Sequence, residues 1–337
     1  MAVTINDVAK DAGVSIATVS RVVNGKAVAN EILRKKVLKS IDRLGYVPNS
    51  NAQSLKQDCS KLIGITTSDL SVSFFPAVVK HIEKTFLPAG YATLVSSTYD
   101  ESRNEKNILQ HMVSRRVDAL LVNSTGENED RLKLIEDSGI PIILYDRRSH
   151  SRSFPAVYMD KQKAVYQAME HLYSLGHQRV ALVTGPNHLT SNDDRYMGVQ
   201  RYVLEHDVDP SHCLSYFGTF TQEYGEQIMD EIIHLKERPT AIITGSIAIT
   251  AGIMFYCREH NLSIPRDLAL VSSGNFIYDR AVNLDLSYID DRVDAVSENL
   301  INMIQRVLQG EKLSADDQVI LEPALRIGAS TLGQNRK

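Results

Sequence analysis

Residues 3–26 read VTINDVAKDAGVSIATVSRVVNGK, two short amphipathic segments joined at a glycine, and the rest of the chain is organised around them. Thr4, with Asp7 three residues on, has the form of a helix N-cap and its reciprocal partner. Ile5, Val8, Ala9 and Ala12 then fall on one face at helical spacing. Gly13 accepts the left-handed backbone that ends such a helix, Val14 dips inward, and Ser15 offers an oxygen to the free N–H groups of a second helix. In that helix Val19, Val22 and Val23 face inward, which leaves Ser15, Ile16, Ala17, Thr18, Ser20 and Arg21 outside. A third helix is expected from Asn30 to Leu44, with Ile32, Leu33, Val37, Ile41 and Leu44 as its apolar stripe and Gly45 as its stop. Together these make a three-helix unit with a helix-turn-helix at its front.

A helix, a turn and a helix also describe two packed helices with no ligand. Two features argue for DNA. The outward face of the second helix is short and hydroxyl-rich with one Arg, which suits base readout in a major groove. Residues 1–61 hold ten Lys and Arg against five Asp and Glu, about +5, whereas the whole chain carries −4. A basic head on an acidic body is the balance expected of a DNA binder, because neutralised phosphates supply much of the affinity.

The runs TINDVAKDAGVSIATVSRVVNG and RKKVLKSIDRLGYVPNSNAQSLK resemble the headpiece of the lactose/galactose repressor family of bacterial transcription regulators, and the likeness continues to the C-terminus. The resemblance implies that Ser15, Ile16, Ala17 and Arg21 face bases, while Thr18, Ser20 and Asn24 meet phosphates and the groove wall; Thr4 and Asn49 belong to the same DNA-binding set. With Ile16 and Ala17 in place of longer polar groups, readout leans on thymine methyls and on Arg21 against guanine. The headpiece is then residues 1–47.

Residues 48–61 follow as a hinge. Pro48 ends regular structure, Asn49 caps a new helix, and that helix has about two turns before the polar run from Gln57 to Lys61. So short a helix is marginal alone in water, where roughly 12–15 residues are needed, and forms only against a partner. A plain linker is the other reading. By resemblance the segment is a hinge helix that pairs with a second copy over the operator, with Ala52 and Gln53 along the minor groove and Leu55 wedged into it.

From residue 62 apolar strands alternate with amphipathic helices. Strands are expected at 62–67, 91–97, 117–123 and 141–146, with helices near 74–88, 101–115 and 128–138. A second cycle places strands at 179–185, 213–218, 240–245 and 268–274, with helices near 162–175, 193–206, 221–236 and 247–261. This alternation predicts an α/β body of two doubly wound parallel-sheet lobes. The first lobe is expected to take residues 62–161 and 290–328, including a helix at 293–308 and the strand VILEPALRIG, and the second residues 162–289, with crossovers near 160–163, 289–292 and 320–324. The family body resembles a periplasmic sugar-binding protein with a cleft between lobes.

Ligands of open α/β sheets bind beyond the carboxyl ends of strands. By resemblance, Ser71, Val72, Phe74 and Phe75 line the first-lobe wall and Asp146 and Arg147 close it. Arg195 matches an arginine that clamps sugar or phosphate oxygens, Phe220 an aromatic that stacks on a ring, and Ser246 and Asn275 stand in the remaining ligand loops. Asp146 as a helix cap and Phe75 as core are the structural alternatives. Ser246-Ile247 replaces the Asn-Asp of most sugar-binding members, and Gly274 replaces an Asp. With those carboxylates missing, the loops look nearer the fructose and sucrose regulators, and the site suits an anion, such as a sugar phosphate, better than a neutral sugar, although Asp290 and Asp291 add negative charge where many members have an amide.

An enzyme is not expected: no phosphate loop, dinucleotide fingerprint, GxSxG elbow or His/Cys metal cluster appears, and no cofactor or metal is implied. His171 and His177, at the end of one helix, read as capping or surface groups. Cys59, Cys213 and Cys257 lack paired spacing and read as free thiols. The chain shows neither a signal peptide nor an apolar run of membrane-spanning length, so a cytoplasmic location and no membrane partner are expected. The expected protein is a homodimeric, DNA-binding repressor of carbohydrate-use genes whose operator affinity a sugar or sugar phosphate controls. A global catabolite-type regulator with a protein co-repressor is the alternative. A transport-type solute-binding protein fits the body but not the head.

Overall fold

The computed structural model describes residues 3–23, 30–46, 59–275 and 285–332. Packing divides the chain into one unit ending at Ser60 and a second beginning at Lys61.

The first unit is three helices, α1 (Ile5–Ala12), α2 (Ile16–Val23) and α3 (Glu31–Leu44). Local chemistry sets each boundary. The Thr4 side chain accepts the Asp7 N–H at 3.4 Å, and Asp7 accepts the Thr4 N–H at 2.8 Å, a complete capping box. Gly13 ends α1 in the left-handed region at φ 66°, Ser15 accepts the Thr18 N–H at 3.2 Å, and Asn30 accepts the Ile32 N–H at 2.9 Å. The core is Val8, Ala9, Val19, Val22 and Val37, and Arg43 of α3 pairs with Asp11 of α1. Ile32 corrects the expected stripe: it is 68% exposed, because it sits in the first turn of α3, short of the contact with α1.

The second unit is two six-stranded sheets. The chain lays down β1 (Leu62–Thr67), α4 (Phe74–Phe86), β2 (Ala92–Ser97), α5 (Ser102–Ser114), β3 (Ala119–Val122), α6 (Glu129–Asp137), β4 (Ile142–Tyr145) and β5 (Ala156–Met159). It then crosses to α7 (Lys161–Ser174), β6 (Val180–Thr184), α8 (Thr190–Glu205), β7 (Cys213–Phe217), α9 (Gln222–Ile233), β8 (Ala241–Thr244), α10 (Ile247–Glu259), β9 (Ala269–Ser273) and β10 (Ser287–Ile289). A return supplies α11 (Val293–Leu308) and β11 (Gln318–Leu321), and a last crossing supplies β12 (Leu325–Arg326).

The first sheet has the order β11-β5-β4-β3-β1-β2, the second β12-β10-β9-β8-β6-β7, and every pairing is parallel except β10 with β12. Helices α4 and α11 cover one face of the first sheet and α5 and α6 the other, while α7 with α8 and α9 with α10 cover the second. Two covered faces explain why the central strands ALLV and IILY are apolar throughout rather than alternating.

Two expectations change. VILEPALRIG is not one strand of the first lobe. Pro323 cannot donate to a ladder, and the chain leaves one sheet at Leu321 and enters the other at Leu325, so the end of this run belongs with the second sheet. Strands β5 and β10 were not anticipated; each is only three or four residues and leads straight into an inter-sheet crossing.

Candidate functional site

In the first unit the outward face of α2 is as expected from its spacing. Ser15, Ile16, Ala17 and Arg21 are exposed, Ile16 at 50% in spite of its size, while Val19 and Val22 are buried. Thr18 hydrogen-bonds the Ser15 hydroxyl at 2.9 Å, and Thr4 donates to Asp7 at 2.7 Å, so both hydroxyls also hold the helix starts. Ser20 is half-buried on the same helix. Asn24, Asn49, Ala52, Gln53 and Leu55 lie outside the described residues.

In the second unit the strand ends of the two sheets enclose a cavity of about 40 Å³, lined among others by Phe74, Asp146, Lys161, Arg195, Ser273 and Asp291. Phe74, at the start of α4, comes from the first sheet's side and Arg195, from the second turn of α8, from the other. Asp146 follows β4 in the left-handed conformation, φ 63°, which Asp tolerates better than most residues. Its carboxylate takes the Lys161 ammonium at 2.8 Å and the Asn123 amide at 3.2 Å. Burial pushes the Asp146 carboxyl up, but Lys161 and Arg147 outweigh burial and hold it below the ordinary range.

Arg195 is the buried guanidinium of this cavity. Its Nη1 donates to the Ser191 carbonyl at 3.2 Å and to Asn192 Oδ1 at 2.8 Å, and among the described residues no carboxylate lies within the ion-pair distance of 4 Å. Burial lowers its guanidinium to about 10, with Asp146 opposing, so it stays charged at neutral pH. Asp291 shares the cavity and accepts no hydrogen bond among the described residues. Burial first and then Asp146 raise its carboxyl to about 7, against Lys161 and Arg195.

That shift predicts a pH dependence of folding. Between pH ~4 and ~7 the native Asp291 keeps a proton that the unfolded chain has lost, so its contribution to stability falls as pH rises through that window and is flat above it. Thermal denaturation of Asp291→Asn is expected to match the wild type near pH 4 and to exceed it at pH 8. An unchanged slope between the two would show that Asp291 titrates normally.

Several expected wall residues lie elsewhere. Arg147 is buried and forked onto Asp100, Nη1 to Oδ1 at 2.6 Å and Nη2 to Oδ2 at 3.2 Å, so its guanidinium is committed within the first lobe. Phe75 is core, edge-on to Tyr145 at 6.1 Å between ring centroids. Phe220 lies over Gly185, where a Cβ would come within 2.5 Å of its ring. Ser246 caps α10 by accepting the Ile249 N–H at 3.2 Å. Ser71 and Asn275 are exposed, and Val72 is half-buried against the first core. Asp291, singled out with Asp290 in the IDDR loop but given no role there, does line the cavity, whereas Lys161 was not anticipated; both sit at inter-sheet crossings, and their positions follow from how the two sheets meet. Gly274 is unsuited to the missing carboxylate: its φ is +89°, and a Cβ would lie 2.7 Å from Asp291 Oδ2.

His171 bonds Thr331 at 2.9 Å and His177 bonds Thr240 at 2.9 Å, so both are structural. Among the described residues no group of His, Cys, Asp and Glu is arranged to hold a metal ion, and no helix is long and apolar enough to cross a membrane.

Residues 4–49 match the bacterial regulatory proteins of the lacI family, and residues 169–331 a periplasmic binding protein-like domain. The chain is 31% identical over 278 residues to the HTH-type transcriptional regulator RegA of Clostridium saccharobutylicum, covering 82% of this chain and 84% of RegA. It is 28% identical over 334 residues to the HTH-type transcriptional repressor PurR of Actinobacillus pleuropneumoniae serotype 3 (strain JL03), covering 99% of each. Among solved structures it is similar to the lac repressor dimer bound to operator and the anti-inducer ONPF, with a TM-score of 0.84, 25% identity and coverage of 99% of this chain and 100% of that one.

Proposed function

The chain belongs to the lacI family of bacterial regulatory proteins, and from that premise we propose that it is a repressor whose grip on its operator is set by a small anionic carbohydrate, such as a sugar phosphate, held between the lobes of the body. As a family member it is a DNA-binding transcriptional regulator with an effector-binding body, and not an enzyme. The observation that carries the ligand class is Arg195: a buried guanidinium lining an inter-lobe cavity with, among the described residues, no carboxylate partner within 4 Å. A buried cation in this state favours a ligand that brings negative charge, and the guanidinium fork suits a phosphate or carboxylate. Ser246 and Gly274, which replace polar ligands of the sugar-binding pattern, add no side-chain acceptor to this cavity. That favours the fructose and sucrose side of the family.

Two heads are needed because one α2 reads only a half-site, and a two-fold protein matches a two-fold operator. The similar lac repressor is a dimer on its operator, and the same assembly is our reading for this chain. A ligand shifts DNA affinity only by binding the two lobe arrangements unequally, and a cavity lined from both lobes provides that inequality.

The test is to select an operator from random duplexes and titrate it against hexose phosphates and their parent hexoses. At least one phosphate should move half-saturation on DNA about tenfold or more while its parent hexose does not. The reverse pattern would overturn the anion reading. On the DNA side, Arg21→Ala should cost roughly 1–3 kcal/mol on the selected operator and relax one base pair per half-site, with less loss on random duplex. Equal losses on both, measured by anisotropy, would show that Arg21 touches only phosphate.

A further inference from the structure

Outside the cavity the lobes grip each other directly. Arg148, in the loop after β4 of the first sheet, places Nη2 2.7 Å from Asp194 Oδ1 in α8 of the second lobe. The Arg148 carbonyl also accepts the Thr190 hydroxyl at 2.9 Å, from the turn of α8 before Asp194. Residues 190 and 194 are one helical turn apart and share a face, so one residue of the first lobe is held twice by one face of α8. The side chains of Arg148 and Asp194 are 18% and 19% exposed, which sets this pair apart from the solvated surface pairs of the body. Nearby, His188 Nε2 stands 3.8 Å from Glu127 Oε1, a second approach between the loop after β6 and the loop after β3. None of these five residues lines the cavity.

We propose that Arg148, Asp194 and Thr190 form a clasp that closes the two lobes through protein contacts alone and thereby sets the operator affinity of the chain before any effector binds. The clasp also positions the ligand group. Asp194 is followed immediately by Arg195, and Arg195 is braced on Asn192, which in turn accepts the Thr184 hydroxyl at 2.7 Å. Pinning this turn of α8 to the first lobe therefore fixes where the guanidinium of Arg195 stands relative to Asp146. Arg148 and Asp194 are positioning residues: they act on the lobes and on Arg195, not on the ligand.

The regulatory consequence rests on the operator reading above; the clasp itself does not, and the experiment separates them. In the full chain carrying Cys59→Ser, spin labels on Lys106→Cys of α5 and Glu223→Cys of α9 report the inter-lobe distance with no DNA and no effector. Arg148→Ala and Asp194→Ala should each shift the distance distribution to longer values, the double alanine variant should shift it no further, and the exchange Arg148→Asp with Asp194→Arg should restore it. Effector-free operator half-saturation should move by roughly threefold to tenfold in the same direction in both single variants and return in the exchange. An unchanged distance in both single variants overturns the clasp, and so does a double variant whose shift is the sum of the two. A lengthened distance with unchanged operator half-saturation overturns the coupling to DNA. Absence of operator binding in the wild type would overturn the proposed function while leaving the distance result to stand. Arg148→Lys, which keeps the charge and loses the fork, supplies an intermediate shift should either alanine variant fail to fold.

Discussion

Arg195→Ala is expected to leave operator affinity in the absence of effector within about threefold of wild type and to raise the effector half-saturation for shifting it by roughly 10–150-fold. The reasoning starts from what Arg195 holds in the protein. Its two hydrogen bonds go to the Ser191 carbonyl and Asn192 Oδ1, and Asn192 keeps its bond from Thr184 when the arginine is gone. The fold therefore loses packing but gains no orphaned charge. Asp146 remains neutralised by Lys161 at 2.8 Å. The ligand, by contrast, loses its charge-assisted hydrogen bonds, which are worth about 1.5–3 kcal/mol, or roughly 10–150-fold in half-saturation. Arg195→Lys should fall between, because a point charge replaces a planar fork. Titration of an operator complex with hexose phosphates is the measurement, and a wild-type half-saturation in the alanine variant would remove Arg195 from the site.

Gly252→Ala is expected to lower the melting temperature of the body by roughly 2–10 °C. Helices α9 and α10 cross so closely that a Cβ on Gly252 would stand 2.0 Å from the Gln222 carbonyl oxygen and 2.9 Å from the Glu226 nitrogen. Gly225 faces it, with its own Cβ position 2.4 Å from the Ile249 carbonyl oxygen. These obstacles are backbone atoms, which cannot swing aside as a side chain does. The helices must separate, loosening Ile228, Ile249 and Ile253 in the core beneath. Overpacking of this kind costs about 1–3 kcal/mol and occasionally more, against a gain of up to about 1 kcal/mol in helix propensity from Gly to Ala. In a domain of this size each kcal/mol moves the melting temperature by roughly 2–4 °C, so the larger shifts require the upper end of the overpacking range or beyond. Gly225→Ala should act in the same direction, and the double variant should lose less than the sum, since separating the helices once relieves both overlaps. A melting temperature within about 2 °C of wild type would show that α9 and α10 separate at little cost.

The head was legible because its signals are local. The capping box joins residues three apart, the left-handed Gly13 follows α1 directly, and the buried Val19 and Val22 of α2 stand at helical spacing. The alternation of the body was legible for the same reason, and α11 spans Val293–Leu308 as its periodicity indicates. The crossings, expected near 160–163, 289–292 and 320–324, fall there in the structure, but the short strands beside them were not legible. Strands β5 and β10 are too short to carry a period, and VILEPALRIG is continuous in sequence although two sheets divide it.

The site divides along the same line. Sequence alone determined that this chain is a basic helix-turn-helix head with a two-lobed α/β body, and it singled out Asp146 and Arg195 as residues to inspect. Tertiary structure alone decided which of the neighbouring polar groups meet. Asp146 and Arg147 are adjacent in the chain, yet the left-handed turn at Asp146 sends its carboxylate toward Lys161 while Arg147 turns back to Asp100, 47 residues away. Lys161, Arg195 and Asp291 come together only where the two sheets meet, and Arg148 reaches Asp194 across that same boundary. Helix and turn signals act over three or four residues, so a sequence displays them directly; a charge, by contrast, takes its partner and its ionisation from groups that only the packing of two separate sheets brings within 4 Å.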